Sequence, residues 1–396
     1  MAGSSHRPTV TKWQMHERFQ YCGSGSPNAA LCVWTLAPSF VTVAVFTASL
    51  NISPPRSSAQ ISTEPVTRGL AISVNETRQL SAIVAFLAGS LVAVQGRING
   101  QLGALTDDGV LAAIVNFSVG LTVLFLLVMV RPSARAALRG LPQQVRTRTI
   151  PWWTLLGGLA GACFVAAQGL TVAVLGVALF TVATVAGQTG MSVAVDRWGL
   201  GPSGSLPVTA LRVLAAILAT IAVGVAAAGR QAHSGDGALG LVLLALLAGA
   251  AVAFQAAFNG RVSVATGQPT VAALVNFCVG LSALLAVFMV ERAVRGDVHG
   301  SLPSVVEQPW LYSGGLIGLT FVVSAAWSVR ALGVLLFSLL VIAGSLTGAV
   351  MVDLVAPTPG AAFTWELTAG ITMTFGAVAL ASVQRRRSTP WQDSGS

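Results

Sequence analysis

From residue 80 to the low 380s the chain is a succession of long apolar runs separated by short polar stretches. The runs cover roughly 80–98, 109–130, 152–173, 175–195, 206–228, 239–258, 270–290, 311–329, 332–352 and 362–383. A helix rising about 1.5 Å per residue needs about 20 apolar residues to cross a hydrocarbon core about 30 Å thick. Each run is close to that length. Backbone polar groups in lipid must be bonded within the chain, so the pattern predicts helices rather than strands. Residues 151–195 hold no charged side chain and are long enough for two spans with a tight turn near Gly176. The pattern predicts an all-α membrane protein of ten transmembrane helices.

The runs are also duplicated. Aligning Ala85–Leu121 with Ala245–Leu281 at a constant offset of 160 gives 18 identities in 37 positions, without a gap. Gln95/Gln255, Asn99/Asn259, Asn116/Asn276 and Phe117/Phe277 are among them. Further on, at an offset of 157, Gly157/Gly314, Gly161/Gly318, Gly176/Gly333, Gly187/Gly344 and Asp196/Asp353 also match. Each half holds five spans. Five is odd, so the second half should enter the membrane from the opposite side, as in inverted-topology carriers whose site lies between the repeats. The predicted domains are 79–230 and 236–384, with a cytoplasmic tail at 385–396.

Residues 1–78 lie outside this pattern. Residues 29–50 are apolar but interrupted by Pro38, and 53–60 are rich in Pro and Ser. The segment reads as a poorly ordered extension or an unused upstream start, with 29–50 a candidate extra helix.

Composition narrows the function. Hydrophobic residues make up 54% of the chain and charged residues 9%, too few to cover a water-soluble fold. The net charge of +9 reflects arginines between spans, which read as topology signals and not as a nucleic-acid patch. Arg131, Arg135, Arg139, Arg146 and Arg148 fall between the second and third runs, and Arg385, Arg386 and Arg387 follow the last. Ten spans place both groups on one side, predicted to be the cytoplasm. Arg97, Arg230, Arg292 and Arg295 form a weaker set on the other side. Lys12 is the single lysine, which excludes a P-loop ATPase. The four cysteines form no CxxC pair, so no zinc site is expected, and Cys163 and Cys278 read as small core residues. Gly199 to Gly204 matches GxGxxG, but it follows a membrane helix and contains Pro202, so it reads as an interhelical loop. His6, His16, His233 and His299 all lie outside the runs, which argues against an intramembrane hydrolase. No enzyme activity, metal or cofactor is expected.

The residues Leu87-Ala88-Gly89, Gln95, Asn99-Gly100, Asn116 to Gly120 and Gly187-Gln188 resemble the YdcZ-type branch of the drug/metabolite transporter superfamily, related to EamA-like transporters, over about residues 80–384 in both halves. The resemblance implies ten helices, with helices 1–4 and 6–9 around a central cavity and helices 5 and 10 peripheral. It also implies an inner-membrane exporter.

Polar side chains at membrane depth are costly and face the bundle interior or a cavity. Gln95 and Asn116 fall at similar depths on adjacent, oppositely running helices, and Gln255 and Asn276 match them in the other half. Amides both donate and accept, so they can read a neutral or zwitterionic solute. They can equally tie helices together for about 0.6–2 kcal/mol. Ala325 and Ser345 take the places of Gln168 and Gln188 in the second half, and such asymmetry could carry specificity. The expected substrate-binding set is Gln95, Asn116, Gln188, Gln255 and Asn276. Asn99 and Asn259, near run ends, read as capping or turn chemistry. Asp196 and Asp353 end their helices against the macrodipole and call for a partner, with Arg197 and Arg330 nearby. They are candidates for a gate or coupling site. Arg212 is placed to snorkel to the interface. Glycines at spacing four, Gly157/Gly161 and Gly344/Gly348, suit close helix crossings. The expected function is secondary transport of a small polar or amphipathic metabolite through the lipid bilayer. The alternatives are a lipid flippase on the same fold and a non-transporting membrane scaffold.

Overall fold

A computed structural model describes residues 74–202, 204–205, 207–234, 237–296, 301–357 and 364–383. The apolar run at 29–50, the rest of the chain before 74, and the tail at 385–396 lie outside the described residues. The described chain is helical, without strands: α1 (Val74–Thr106), α2 (Gly109–Val130), α3 (Pro132–Arg146), α4 (Gly157–Leu175), α5 (Val177–Arg197), α6 (Ala210–Ser234), α7 (Gly237–Thr266), α8 (Pro269–Arg295), α9 (Gly314–Val355) and α10 (Trp365–Val383). Eight stretches among these are long and apolar enough to cross a membrane.

Local chemistry sets the boundaries. The Asp108 carboxylate accepts from the N–H groups of Val110 and Leu111 at 2.8 and 2.9 Å and starts α2. Pro269 opens α8, where its missing N–H costs nothing. Gly176, at φ 81, separates α4 from α5; a side chain there would be strained. This is the tight turn expected from the sequence. Its counterpart Gly333 lies inside α9, which is helical throughout from Gly314 to Val355. The sequence expects two spans in that stretch. A straight helix of that length would reach about 63 Å, twice the hydrocarbon core, so α9 does not make one straight pass.

The way α9 lies on α1 gives its course. A Cβ built on Gly314 would meet Asn99, and one on Gly318 would meet Gln95, so this part of α9 runs against α1. Further on, Gly344 meets Phe86 and Gly348 meets Ser90, so the later part runs with α1. The other half behaves alike. Gly157 meets Asn259 and Gly161 meets Gln255, so α4 runs against α7. Gly187 meets Leu246 and Ala250, and Val195 packs with Ala253 and Ala257, so α5 runs with α7.

The two halves interlock reciprocally. Helix α1 packs on α9 of the other half, and α7 packs on α4 and α5. At the centre, Gly120 abuts the Phe277 ring while Gly280 abuts the Phe117 ring. The two rings lie 4.9 Å apart between centroids. Residue i touching j while the mate of i touches the mate of j is the pattern of an isologous contact. α6 and α10 pair with each other at the margin, where Gly370 faces Ala222 and Ala226.

The interior is built from small residues. One buried cluster includes Ala93, Ala167, Val172, Phe180, Val182, Ala186, Ala245 and Leu346, and extends to α6 and α10 through Ala219 and Ala377. Without a hydrophobic force between helices in lipid, such close backbone approach supplies the association energy. Large apolar side chains point outward instead, among them Leu87, Leu126, Leu247 and Met289. Cys163 and Cys278 are also on the outside, not in the core as the sequence suggested. Lipid is as apolar as the bundle interior, so hydropathy does not separate the two locations.

Candidate functional site

Two amide clusters lie inside the bundle. In the first, Asn116 Nδ2 donates to Asn99 Oδ1 at 3.0 Å, and Asn99 Nδ2 donates to Gln168 Oε1 at 2.8 Å. Gln95 is buried beside them, its amide nitrogen 3.3 Å from where a Gly318 side chain would begin. In the second, Gln255 Nε2 and Asn259 Nδ2 both donate to Asn276 Oδ1 at 3.1 Å. Gln95, Asn99, Asn116 and Gln168 are buried, whereas Gln255 and Asn259 are half-buried.

Each cluster abuts small residues of the opposite half. A Cβ on Gly314 would sit 2.6 Å from Asn116 Nδ2 and 2.8 Å from Asn99 Oδ1. One on Gly161 would sit 2.6 Å from Gln255 Nε2, and one on Gly157 2.7 Å from Asn259 Oδ1. These glycines therefore make room for amides at the boundary between the halves, beyond the helix crossings expected of them. Helix α4 joins the clusters. Its Gly157 and Gly161 face the second, and its Gln168 belongs to the first, about 10 Å further along the helix from Gly161.

Several expectations change. Asn116 bonds Asn99, where the sequence paired it with Gln95. Asn99 is not a capping residue: α1 continues to Thr106, and Asn99 is 1% exposed within it. Asn259 likewise lies inside α7. Gln188 is half-buried on α5. An open groove of about 400 Å³ between α5 and α6 is lined by apolar residues and Thr220; none of the five expected amides lines it.

The two aspartates have partners other than those expected. Asp196 pairs with Arg212 across the α5–α6 loop, so Arg212 is held to a carboxylate and does not simply snorkel. Asp353 is buried, and its two carboxylate oxygens accept from Val177 N at 3.0 Å and Ala178 N at 2.7 Å. A carboxylate at the unfavourable end of α9 thus caps the favourable, positive end of α5. The side chain of Arg330 lies outside the described residues.

Arg261 was not singled out from the sequence. It donates to the carbonyls of Leu200 and Gly199 and lies 5.4 Å over the Trp153 ring. It thereby ties the glycine-rich loop to α7; Gly199 and Gly204 take positive φ there. Its counterpart in the first half is Gln101, and that loss of symmetry was the available signal. Among the described residues no group of acidic, His and Cys side chains is arranged to hold a metal.

A family model described as "Putative inner membrane exporter, YdcZ" matches residues 80–225 and again 240–380. No curated protein matches the chain. One solved structure, described only as the crystal structure of a protein, aligns at 18% identity and a TM-score of 0.45, over 79% of this chain and 99% of that one.

Proposed function

The chain belongs to the YdcZ family of inner-membrane exporters, and from that premise we propose that it moves a small polar metabolite out of the cell by alternating access between two inverted repeats. The family is one of transporters, and the apolar helices make the chain a multi-pass membrane protein. The observation that carries the proposal is the position of the amide clusters. Each is built by the first two helices of one repeat and closed by glycines of the other. A rocking of one repeat against the other would change both clusters in opposite directions.

The reading takes α9 as two passes, which its reversal against α1 supports, and so counts ten passes. Both ends of the bundle then face the cytoplasm. The second cluster, on the C-terminal half of α7, lies toward the cytoplasm, and the first lies toward the outside. Half-buried Gln255 and Asn259 against fully enclosed Asn99 and Gln168 fit a state open to the cytoplasm. Gln95, Asn116, Gln188, Gln255 and Asn276 supply donors and acceptors for an uncharged or zwitterionic solute.

The aspartates act as alternating clamps in this account. In the present state Asp353 caps α5 at the turn made by Gly176, while Asp196 rests on Arg212. In the opposite state Asp353 leaves α5, and Asp196 leaves Arg212 to cap the N–H groups of α9 that match those of Val177 and Ala178. The test is a thermal-shift screen of purified protein against neutral and zwitterionic metabolites, followed by counterflow of each hit in proteoliposomes. A hit that exchanges across the bilayer and loses exchange in Gln188→Ala supports the reading. Hits that bind without any flux would favour a non-transporting role.

A further inference from the structure

We propose that α3 and its flanks form a binding surface for anionic lipid headgroups of the cytoplasmic leaflet; the choice of leaflet rests on the orientation given above. The sequence reads this segment as a charged connection, yet it folds as a helix, Pro132–Arg146, immediately after α2. One side of it is seated on the bundle. Ala134 is fully buried, Ala137 and Leu138 pack with Val128, Leu284 and Phe288, and Leu141 and Val145 pack on Ile150 and Val262. The helix is therefore held against the bundle and does not hang free.

Its other side is basic. At 3.6 residues per turn, Arg135, Arg139 and Arg146 fall within about 40° of one another. Arg131 stands at the N-cap position without a side-chain cap bond, and Arg148 follows in a left-handed turn at φ 59. Arg139 and Arg146 are exposed and Arg135 is half-exposed. No Asp or Glu occurs between Asp108 and Asp196. Among the described residues, none of these five arginines pairs with a carboxylate. Six residues after α3, Trp152 stands 66% exposed, and exposed indoles at span ends favour the headgroup region. A seated helix with a one-sided row of guanidinium groups and an exposed tryptophan close in sequence fits phosphate-bearing headgroups. Among the described residues the second repeat's matching connection, between α8 and α9, has the short turn Pro309–Tyr312, and it carries Glu307.

Each basic group near an anionic surface contributes about fivefold to binding. The test uses the full-length protein in detergent, titrated with phosphatidylglycerol and phosphatidylcholine and read by native mass spectrometry. Wild type should retain phosphatidylglycerol preferentially. The triple variant Arg135→Gln, Arg139→Gln, Arg146→Gln should lose about tenfold or more of that preference. The matching triple change to Lys should keep most of it, because the charge is preserved. About 1 M salt, which shortens the screening length to about 3 Å, should abolish the preference in wild type. Equal preference in wild type and the Gln variant would overturn the proposal. So would a wild-type preference that survives 1 M salt, and that arm stands even if the Gln variant does not fold. Lipid retention is read without any flux, so a failure of transport leaves this result standing, and a failure here leaves transport untouched.

Discussion

In the first repeat Asn99 sits between Asn116 and Gln168, and all the amides around it are buried. In the second, Asn276 accepts from Gln255 and Asn259, and these two stay half-buried. The clusters derive from the same duplicated stretch, down to identical residues at three positions. Gln168 is the difference in sequence, for its counterpart is Ala325. One added amide extends a chain of donors across α1, α2 and α4. The aspartates repeat the lesson: Asp353 is buried on two backbone donors, whereas its mate Asp196 pairs with an arginine near the surface. A shared scaffold thus holds two related amide clusters and two related aspartates in unequal surroundings.

The equivalence itself is the part most open to breakage. Gly158 faces the Asn276 carbonyl and Gly315 the Asn116 carbonyl, both too close for any Cβ. Gly158→Ala and Gly315→Ala should each cost about 3 kcal/mol or more, since backbone cannot yield as a side chain can. Folded yield by size-exclusion chromatography checks this. Tolerance of one and not the other would refute the reciprocal packing.

Asn99→Ala and Asn259→Ala probe the inequality. The first strands buried partners on both sides and should cost about 1–3 kcal/mol. The second leaves Asn276 Oδ1 still accepting from Gln255, so its thermal midpoint should fall less. A third pair compares the clamps. Asp353→Ala removes a buried two-donor cap and should destabilise by about 1–2 kcal/mol, against at most about 1 kcal/mol for Asp196→Ala. Equal effects would remove the argument for two distinct clamp states. The smallest effect on stability belongs to Gln188→Ala, at about 0.5 kcal/mol or less, with exchange of an identified substrate clearly reduced. Loss of folded protein with normal exchange per molecule would make that amide structural.

The helices and the duplication were legible because both are local or periodic. Apolar length marks the spans, and a constant offset of 160 marks the repeat. The amide partnerships were not. The polar residues Arg97, Asn99 and Gln101 made the first run seem to end at 98, although α1 continues to Thr106. Burial among other helices satisfies Asn99 there, and hydropathy does not register it. Gly157 and Gly161 were recognisable as sites of close approach, but what approaches them is set by tertiary packing. Asp353 meets N–H groups 175 and 176 residues away, beyond any local pattern. Asp196 meets Arg212 across a loop that the sequence identified without giving its course.

The central claim is that the two clusters open to opposite faces. It is tested by thiol accessibility in oriented vesicles, with Cys22, Cys32, Cys163 and Cys278 replaced and a single cysteine placed at Gln255 or Gln95. Gln255→Cys should react with a membrane-impermeant maleimide from the cytoplasmic side only. Gln95→Cys should be protected from that side and react, more slowly, from the opposite one. Reaction of both from the same face would contradict the account.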